Sequence, residues 1–186
     1  STTGTISSAT YNTALGIGAL DALTTADNNT AIGYNAGTVL TTGVENTLIG
    51  SEAGDALVGG SGNVAIGFRA LSTEDGHGKN ISIGYEALRL LNAGANAYNV
   101  AVGDSAGASM STGVQNTIIG GLAGDALTTG NYNTAVGYQA LSTEDAHGYN
   151  TAVGWGALKL LNAGADAGNV AVGMQAGNVM STGRYN

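Results

Sequence analysis

The sequence predicts an all-β protein built as a parallel β-solenoid, and three observations support this fold class. A five-residue phrase recurs along the 186 residues: Asn, then Thr, Val or Ile, then a small or apolar residue, then Ile, Val or Leu, then Gly. Consecutive copies follow each other at a 17-residue step, except for two 19-residue steps. The chain has 32 Gly and no Pro, and the Gly residues follow the repeat instead of a Gly-X-Y period. A fixed period of this length is typical of stacked structural units.

Each rung of the predicted solenoid begins at the Asn of the phrase, which we number position zero. We expect residues 1–11 to be a lead-in or partial rung and residues 12–186 to form a single solenoid of about ten rungs. Asn186 opens a further copy, so we interpret the chain as a segment of a longer protein. The ten rungs begin at Asn12, Asn29, Asn46, Asn63, Asn80, Asn99, Asn116, Asn133, Asn150 and Asn169. Four rungs together form a block that recurs, first from Asn46 to Asn116 and then from Asn116 to Asn186.

Positions one to three of each rung predict a short strand. Position three is apolar and branched in every rung, from Leu15 to Val172, and position one is Thr, Val or Ile. Strand side chains alternate between two faces, so we expect positions one and three to share the core-facing side. Position two is mostly Ala and would then face another layer or another chain. Position four is always Gly, which predicts a turn that needs a positive φ.

The rest of the rung predicts a second buried segment and a polar ladder. Position seven is always Ala and position eleven is usually Leu or Met, a spacing that fits either a short helical turn at one corner or a second short strand. An Asn amide both donates and accepts hydrogen bonds, so stacked copies at position zero predict a structural ladder along the axis. The alternative is a row of regularly spaced ligand-binding amides.

Composition excludes several classes of function. The net charge is −8 with only five Lys or Arg, which argues against nucleic acid and anionic membranes as partners. No apolar run is long enough to span a membrane, and the absence of Cys excludes disulfides and thiolate chemistry. The two His residues are repeat copies of each other, and no nucleophile or phosphate-loop motif accompanies them. We therefore expect a protein that is not an enzyme and needs no cofactor.

Three groups of side chains resemble sites. The segments Glu74–His77 and Glu144–His147 could bind a divalent metal, but we interpret them as solvated loops and expect no metal. Pairs of Thr such as Thr24 and Thr25 suggest an ice-binding face, which the breaks in the Thr ladder disfavour. Aromatic residues recur at position five and either stack on sugar rings or pack at a corner. These weak ligand-binding candidates are Tyr34, Phe68, Tyr85, Tyr138 and Trp155.

The phrases NTAIGYNAG from Asn29, NVAIGFRAL from Asn63 and NTAVGYQAL from Asn133 resemble the head repeats of YadA-type trimeric autotransporter adhesins. They are also similar to shaft repeats of phage tail fibres. The resemblance covers nearly the whole chain from Asn12, although the unit here is longer than in the adhesins. It implies a left-handed coil, three chains side by side, and a location outside the cell on a virion or cell surface.

These observations together predict a rigid, non-enzymatic segment of an extracellular fibre, a shaft or head, that associates with itself. A homotrimer is the expected assembly and a monomeric solenoid is its rival. One alternative function is an adhesin head that recognises a cell-surface glycan or a matrix protein through the aromatics at position five. Another is a filament subunit that assembles end to end, because a solenoid cut at a rung exposes unpaired strands.

Overall fold

The structure, a computed structural model, describes residues 9–186, and residues 1–8 of the expected lead-in lie outside this range. It confirms the predicted parallel β-solenoid of about ten rungs. Ten three-residue strands, β1 to β10 in chain order, pair successively into one parallel sheet. The strands are Thr13–Leu15, Thr30–Ile32, Thr47–Ile49, Val64–Ile66, Ile81–Ile83, Val100–Val102, Thr117–Ile119, Thr134–Val136, Thr151–Val153 and Val170–Val172. At about 4.8 Å between strands, the nine steps give a sheet about 43 Å long.

Every strand pairs with the next one without a shift in register. Thr30 lies opposite Thr47 between β2 and β3, and Ile81 lies opposite Val100 between β5 and β6. The second pair spans one of the two 19-residue steps, so the two additional residues are accommodated outside the strands. Backbone hydrogen bonds continue the ladder beyond the strands, for example from Glu52 N to Tyr34 O at 2.8 Å. The repeat therefore stacks like on like along the whole described chain.

The strands bury the opposite side from the one that the sequence suggested. From β2 to β9 the middle residue, at position two, is fully buried, whereas positions one and three are half-buried or exposed. The prediction that the branched residues at positions one and three face the core was therefore wrong. One turn of so short a coil encloses little space, and Leu residues from elsewhere in the rung occupy most of it, so a small residue suits the inward side of the strand.

The segment after each strand is a run of turns. Neither a helix nor a second strand occurs between residues 9 and 186, so both forms that we considered for this segment were wrong. In the second and third rungs, Ala53 N donates to Gly50 O at 3.3 Å and Leu40 N donates to Gly37 O at 3.0 Å. These bonds between residues three apart close consecutive turns. The turns direct Ala at position seven and Leu or Met at position eleven into the core.

The Gly at position four has a steric cause. Its φ lies between +128° and +140° in all ten rungs, a region that residues with a side chain rarely adopt. A Cβ on Gly33 would also lie 2.4 Å from the carbonyl oxygen of Gly50 in the next rung. Both the angle and the close approach of the stacked backbones therefore require Gly here.

In seven of the ten rungs positions two and eight complement each other in size across the core, and in the other three both residues are small. The rungs with Leu48 and Ile118 at position two have Gly54 and Gly124 at position eight, and every rung with Leu at position eight has Ala or Ser at position two. A Cβ on Gly54 would lie 2.8 Å from Leu48 Cδ2. The side chain from the strand thus occupies the space that the turn leaves free. A Leu at position eight also has a positive φ, as Leu71 does at 55°, and its burial offsets this backbone strain.

Candidate functional site

The Asn residues at position zero form a continuous buried ladder. In each of ten successive pairs, from Asn12 to Asn186, the backbone N–H of the later Asn donates to the Oδ1 atom of the earlier one at 2.8 to 3.2 Å. In the 17-residue rungs, Nδ2 also donates across the coil to the carbonyl at position fourteen, as from Asn46 to Gly60 at 2.7 Å. Each amide thus joins two rungs, and in the 17-residue rungs it also closes its own, with bonds to the backbone and, in several rungs, to the amide of the preceding Asn.

The two 19-residue rungs lack this closing bond. The Nδ2 atoms of Asn80 and Asn150 donate instead to the carbonyls of Gly78 and Gly148, two residues earlier, at 3.4 and 3.2 Å. The additional residues move position fourteen out of reach. Other polar groups stabilise these two corners.

A buried carboxylate holds each long corner. Glu144 occupies position eleven, where most rungs have Leu or Met, and it is fully buried. One of its oxygens accepts from His147 N at 3.2 Å and lies 2.8 Å from His147 Nδ1. The other accepts from the backbone N–H of Ala163 in the long rung at 3.1 Å. Glu74 makes the equivalent backbone bonds to His77 and Ala93. Our interpretation of these clusters as solvated loops was wrong for the two Glu residues, because both lie in the core.

The same clusters bring metal-ligand types together. In each copy the ligand atoms of the Glu, the following Asp and the His lie within 4.8 Å of one another. Both oxygens of Glu74 and of Glu144 already accept backbone N–H bonds. This arrangement satisfies donors of the long corners and gives no independent indication of a cation.

The five aromatic candidates at position five all lie on the surface, but in different surroundings. Phe68 and Tyr85, in adjacent rungs, stack with their ring centroids 5.4 Å apart and their planes at 23°. The guanidinium of Arg69 lies over the Phe68 ring at 5.0 Å. Rings that stack along the axis cover one face of each other, although Tyr85 stays about half exposed. This pair fits corner packing, whereas Tyr34 and Tyr138 are about half exposed and stack on no other ring within residues 9–186.

Trp155 lies in a different setting, at the edge of a groove of about 230 Å³. The groove runs between the ninth and tenth rungs, and Lys159, Gln175 and Asn178 contribute polar groups to it. Sequence reasoning identified Trp155 but missed these polar residues. The sequence feature that could have indicated the groove is Gly156 at position six. Apart from the first rung, every other rung has a side chain at this position.

Two Asp residues at position nine, Asp55 and Asp125, are copies of each other in successive blocks. Burial raises the pKa of both carboxyl groups above its usual range. One oxygen of each is buried without a hydrogen-bond partner among the described residues. Arg69 lies nearby and pairs with Glu52 at 2.6 Å, which raises the pKa of the guanidinium. The Asp residues thus carry a desolvation penalty that nothing in the structure relieves completely.

The first Thr of each pair considered for ice binding donates to the backbone. The hydroxyl of Thr24 donates to the carbonyl of Thr41 at 2.9 Å, and that of Thr41 donates to Val58 at 3.1 Å. These hydroxyls bond along the stack, whereas the second residues Thr25 and Thr42 are exposed. The breaks in the Thr ladder remain the observation against an ice-binding face.

Comparisons with known proteins add no relative to this description. No helix within residues 9–186 has the length and apolar character needed to cross a membrane. Searches of family models, of curated proteins and of solved structures found no match to the chain.

Proposed function

We propose that this chain is a rigid, non-enzymatic rod segment of an extracellular fibre and that its strand face packs against further copies of the chain, most simply as a homotrimer. The proposal rests on the outward side of the sheet. Positions one and three carry Thr, Val, Ile or Leu in all ten rungs and no charged residue in any of them. A flat, uncharged and partly apolar face is typical of an interaction surface.

The dimensions of this face fit such a contact. Three extended residues are about 10 Å wide, so ten strands offer about 430 Å² on a sheet about 43 Å long. Position minus one flanks the strand on one side and includes aromatic residues such as Tyr132 and Tyr149, whose rings stack at 5.0 Å. With this flank the face approaches the roughly 800 Å² per partner of a standard interface. A second copy of the chain presents strands at the same regular spacing. The flank carries few charged residues, so charge repulsion does not oppose the contact.

A role in the construction of a fibre also agrees with the repetition. Each rung presents similar groups, and the backbone N–H groups of both His residues donate to buried Glu residues. The Asn ladder and the continuous backbone bonds stabilise the rod along its length. These features favour a spacer over a catalyst. Labelling of intact source cells or virions with an antibody, without permeabilisation, tests the proposed extracellular location, and signal only after permeabilisation would contradict it.

The mass in solution tests the association. By light scattering after size exclusion we expect three times the 18.2 kDa of one chain. Thr134→Lys places a charge on the strand face at position one, and Thr129→Lys places the same charge on an exposed corner. The first variant should reduce the mass to that of one chain and the second should leave it unchanged.

Two results would contradict the homotrimer. A wild-type mass of 18.2 kDa at high concentration would mean that the strand face does not bind further copies. Large heterogeneous species that persist in Thr134→Lys would instead favour end-to-end assembly through the terminal rungs. Circular dichroism of both variants should match the wild type, which separates lost association from lost fold.

A further inference from the structure

The groove beside Trp155 is the concave surface that the repeat does not explain. Six residues contribute the side chains that line it, with Trp155 and Leu160 nearly half exposed and Val179 more so. The lining side chains are those of Trp155, Lys159 and Leu160 in the ninth rung and of Gln175, Asn178 and Val179 in the tenth. A single chain builds the groove, so it does not depend on the proposed self-association.

The equivalent place one block earlier carries different side chains. There Tyr85 is stacked on Phe68, and Glu86 at position six pairs with Arg89 at 3.3 Å. In the ninth rung Gly156 replaces Glu86, and no side chain covers the surface beside Trp155. An added Cβ on Gly156 would meet only Gln175 Cγ, at 3.8 Å. The groove therefore exists because one rung combines the single Trp of the chain with a Gly next to it.

The lining of this groove matches one class of ligand. An indole offers an apolar face, and Leu160 and Val179 extend the apolar surface. The amides of Gln175 and Asn178 each donate and accept, as hydroxyl groups do. The ammonium of Lys159, which donates to Gln139 at 2.8 Å, adds a donor at the rim. A pyranose ring has an apolar C–H face and a rim of hydroxyl groups, and a groove of about 230 Å³ is close to the size of one such ring.

We propose that this groove binds one pyranose ring of a neutral saccharide, with the ring stacked on Trp155 and its hydroxyl groups bonded to Gln175 and Asn178. A net charge of −8 disfavours polyanionic glycans, because Lys159 is the single cation in the lining. Among the sequence candidates at position five, Trp155 is the residue that lines this groove.

Intrinsic fluorescence provides a direct test, because Trp155 is the only Trp in the chain. The probes are glucose, galactose, mannose, N-acetylglucosamine and their β- and α-linked disaccharides, followed by an array of neutral glycans. We expect a saturable change in emission with at least one of them. No saturable change with any probe and no binding on the array would overturn the proposal.

Two substitutions localise the binding. Gly156→Gln places a side chain over the groove, and Gln occupies the same position in the preceding rung as Gln139, with φ at 55°. This variant retains the fluorescent ring and should weaken binding at least tenfold. Tyr85→Ala removes the equivalent aromatic of the preceding block and should change affinity less than twofold. Binding that survives Gly156→Gln in the fluorescence titration, or Trp155→Ala on the glycan array, would place the saccharide elsewhere and refute the site.

Discussion

The inner and outer sides of the same strands follow different rules. On the inner side the residue at position two ranges from Ala to Leu, and both rungs with a large residue there have Gly at position eight. On the outer side, positions one and three stay uncharged in every rung and are half-buried or exposed from β2 to β9. Packing inside a rung is therefore completed by the chain itself, whereas the outer sheet face is the surface that the proposed association would cover.

The largest effect should follow from removing a ladder amide on the inner side. Asn116→Ala deprives the backbone N–H of Asn133 of its acceptor and the carbonyl of Gly130 of its donor, and both bonds are buried or nearly so. We expect a loss of about 3–5 kcal/mol in the free energy of unfolding. Thr117→Ala, one residue away on the outer side, should cost less than about 0.5 kcal/mol. Urea denaturation of both variants measures the difference, and equal losses would contradict the comparison.

The second effect concerns the complementarity of positions two and eight. Gly54→Leu forces a side chain against Leu48 and Leu57 and should cost about 2–3 kcal/mol. Adding Leu48→Ala recreates the combination found in the rung of Ala65 and Leu71, so the double variant should return to within about 1 kcal/mol of the wild type. A double-mutant cycle by urea denaturation checks the coupling. Additive losses would show that the strand and turn sides of the core are independent.

The third-largest effect on stability should come from a rung with Glu at position eleven, where the other rungs have Leu or Met. Glu144→Leu restores the residue found at Leu127 but leaves the N–H groups of His147 and Ala163 without their acceptor. We expect a loss of about 1–2 kcal/mol, reduced from the full penalty because the carboxylate is also costly to bury. Glu144→Gln keeps an acceptor and should lose less. An unchanged melting temperature for Glu144→Leu would mean that the long corner does not need this contact.

The smallest effect depends on pH. The folded state holds the proton of Asp125 more readily than the unfolded chain does, so the wild type loses stability as the pH rises through the raised pKa. Asp125→Asn lacks this loss and should be more stable at pH 7 by at most about 0.5 kcal/mol, because the group is partly solvated. Below about pH 3.9 both side chains are neutral and the difference should vanish. Thermal melts at pH 3 and pH 7 measure this, and a gain that is equal at both values would contradict the cause.

Periodicity gave the rung length, the strand positions and the Asn column, because each of these depends only on residues that recur at one spacing. The inward side of the strand could not be assigned in the same way. The alternation of strand side chains implies that positions one and three share a face, but it does not say which face is buried. That choice depends on the space inside the coil, which Leu20 and its equivalents already occupy. The branched residues at positions one and three therefore suggested the wrong inward face.

The candidate site was predictable only in part, for a similar reason. Trp155 was visible as an aromatic at a recurring position, but the groove depends on a missing side chain at Gly156 and on residues of the following rung. The role of Glu144 depends on an N–H in the rung after it, at Ala163. Contacts between adjacent rungs follow from the register, and a single rung read by itself does not contain them.

The direction of the ladder has a mechanical consequence. Bonds such as Thr47 N to Asn63 O join one rung to the next along the rod, so a tensile load on the two ends acts on one junction at a time. A detached rung would release about 55–60 Å of extended chain in place of about 4.8 Å of rod. Detachment of all ten rungs would therefore add several hundred ångströms to the length of the chain. Under pulling, the rod would lengthen in steps and limit the force that reaches whatever it connects.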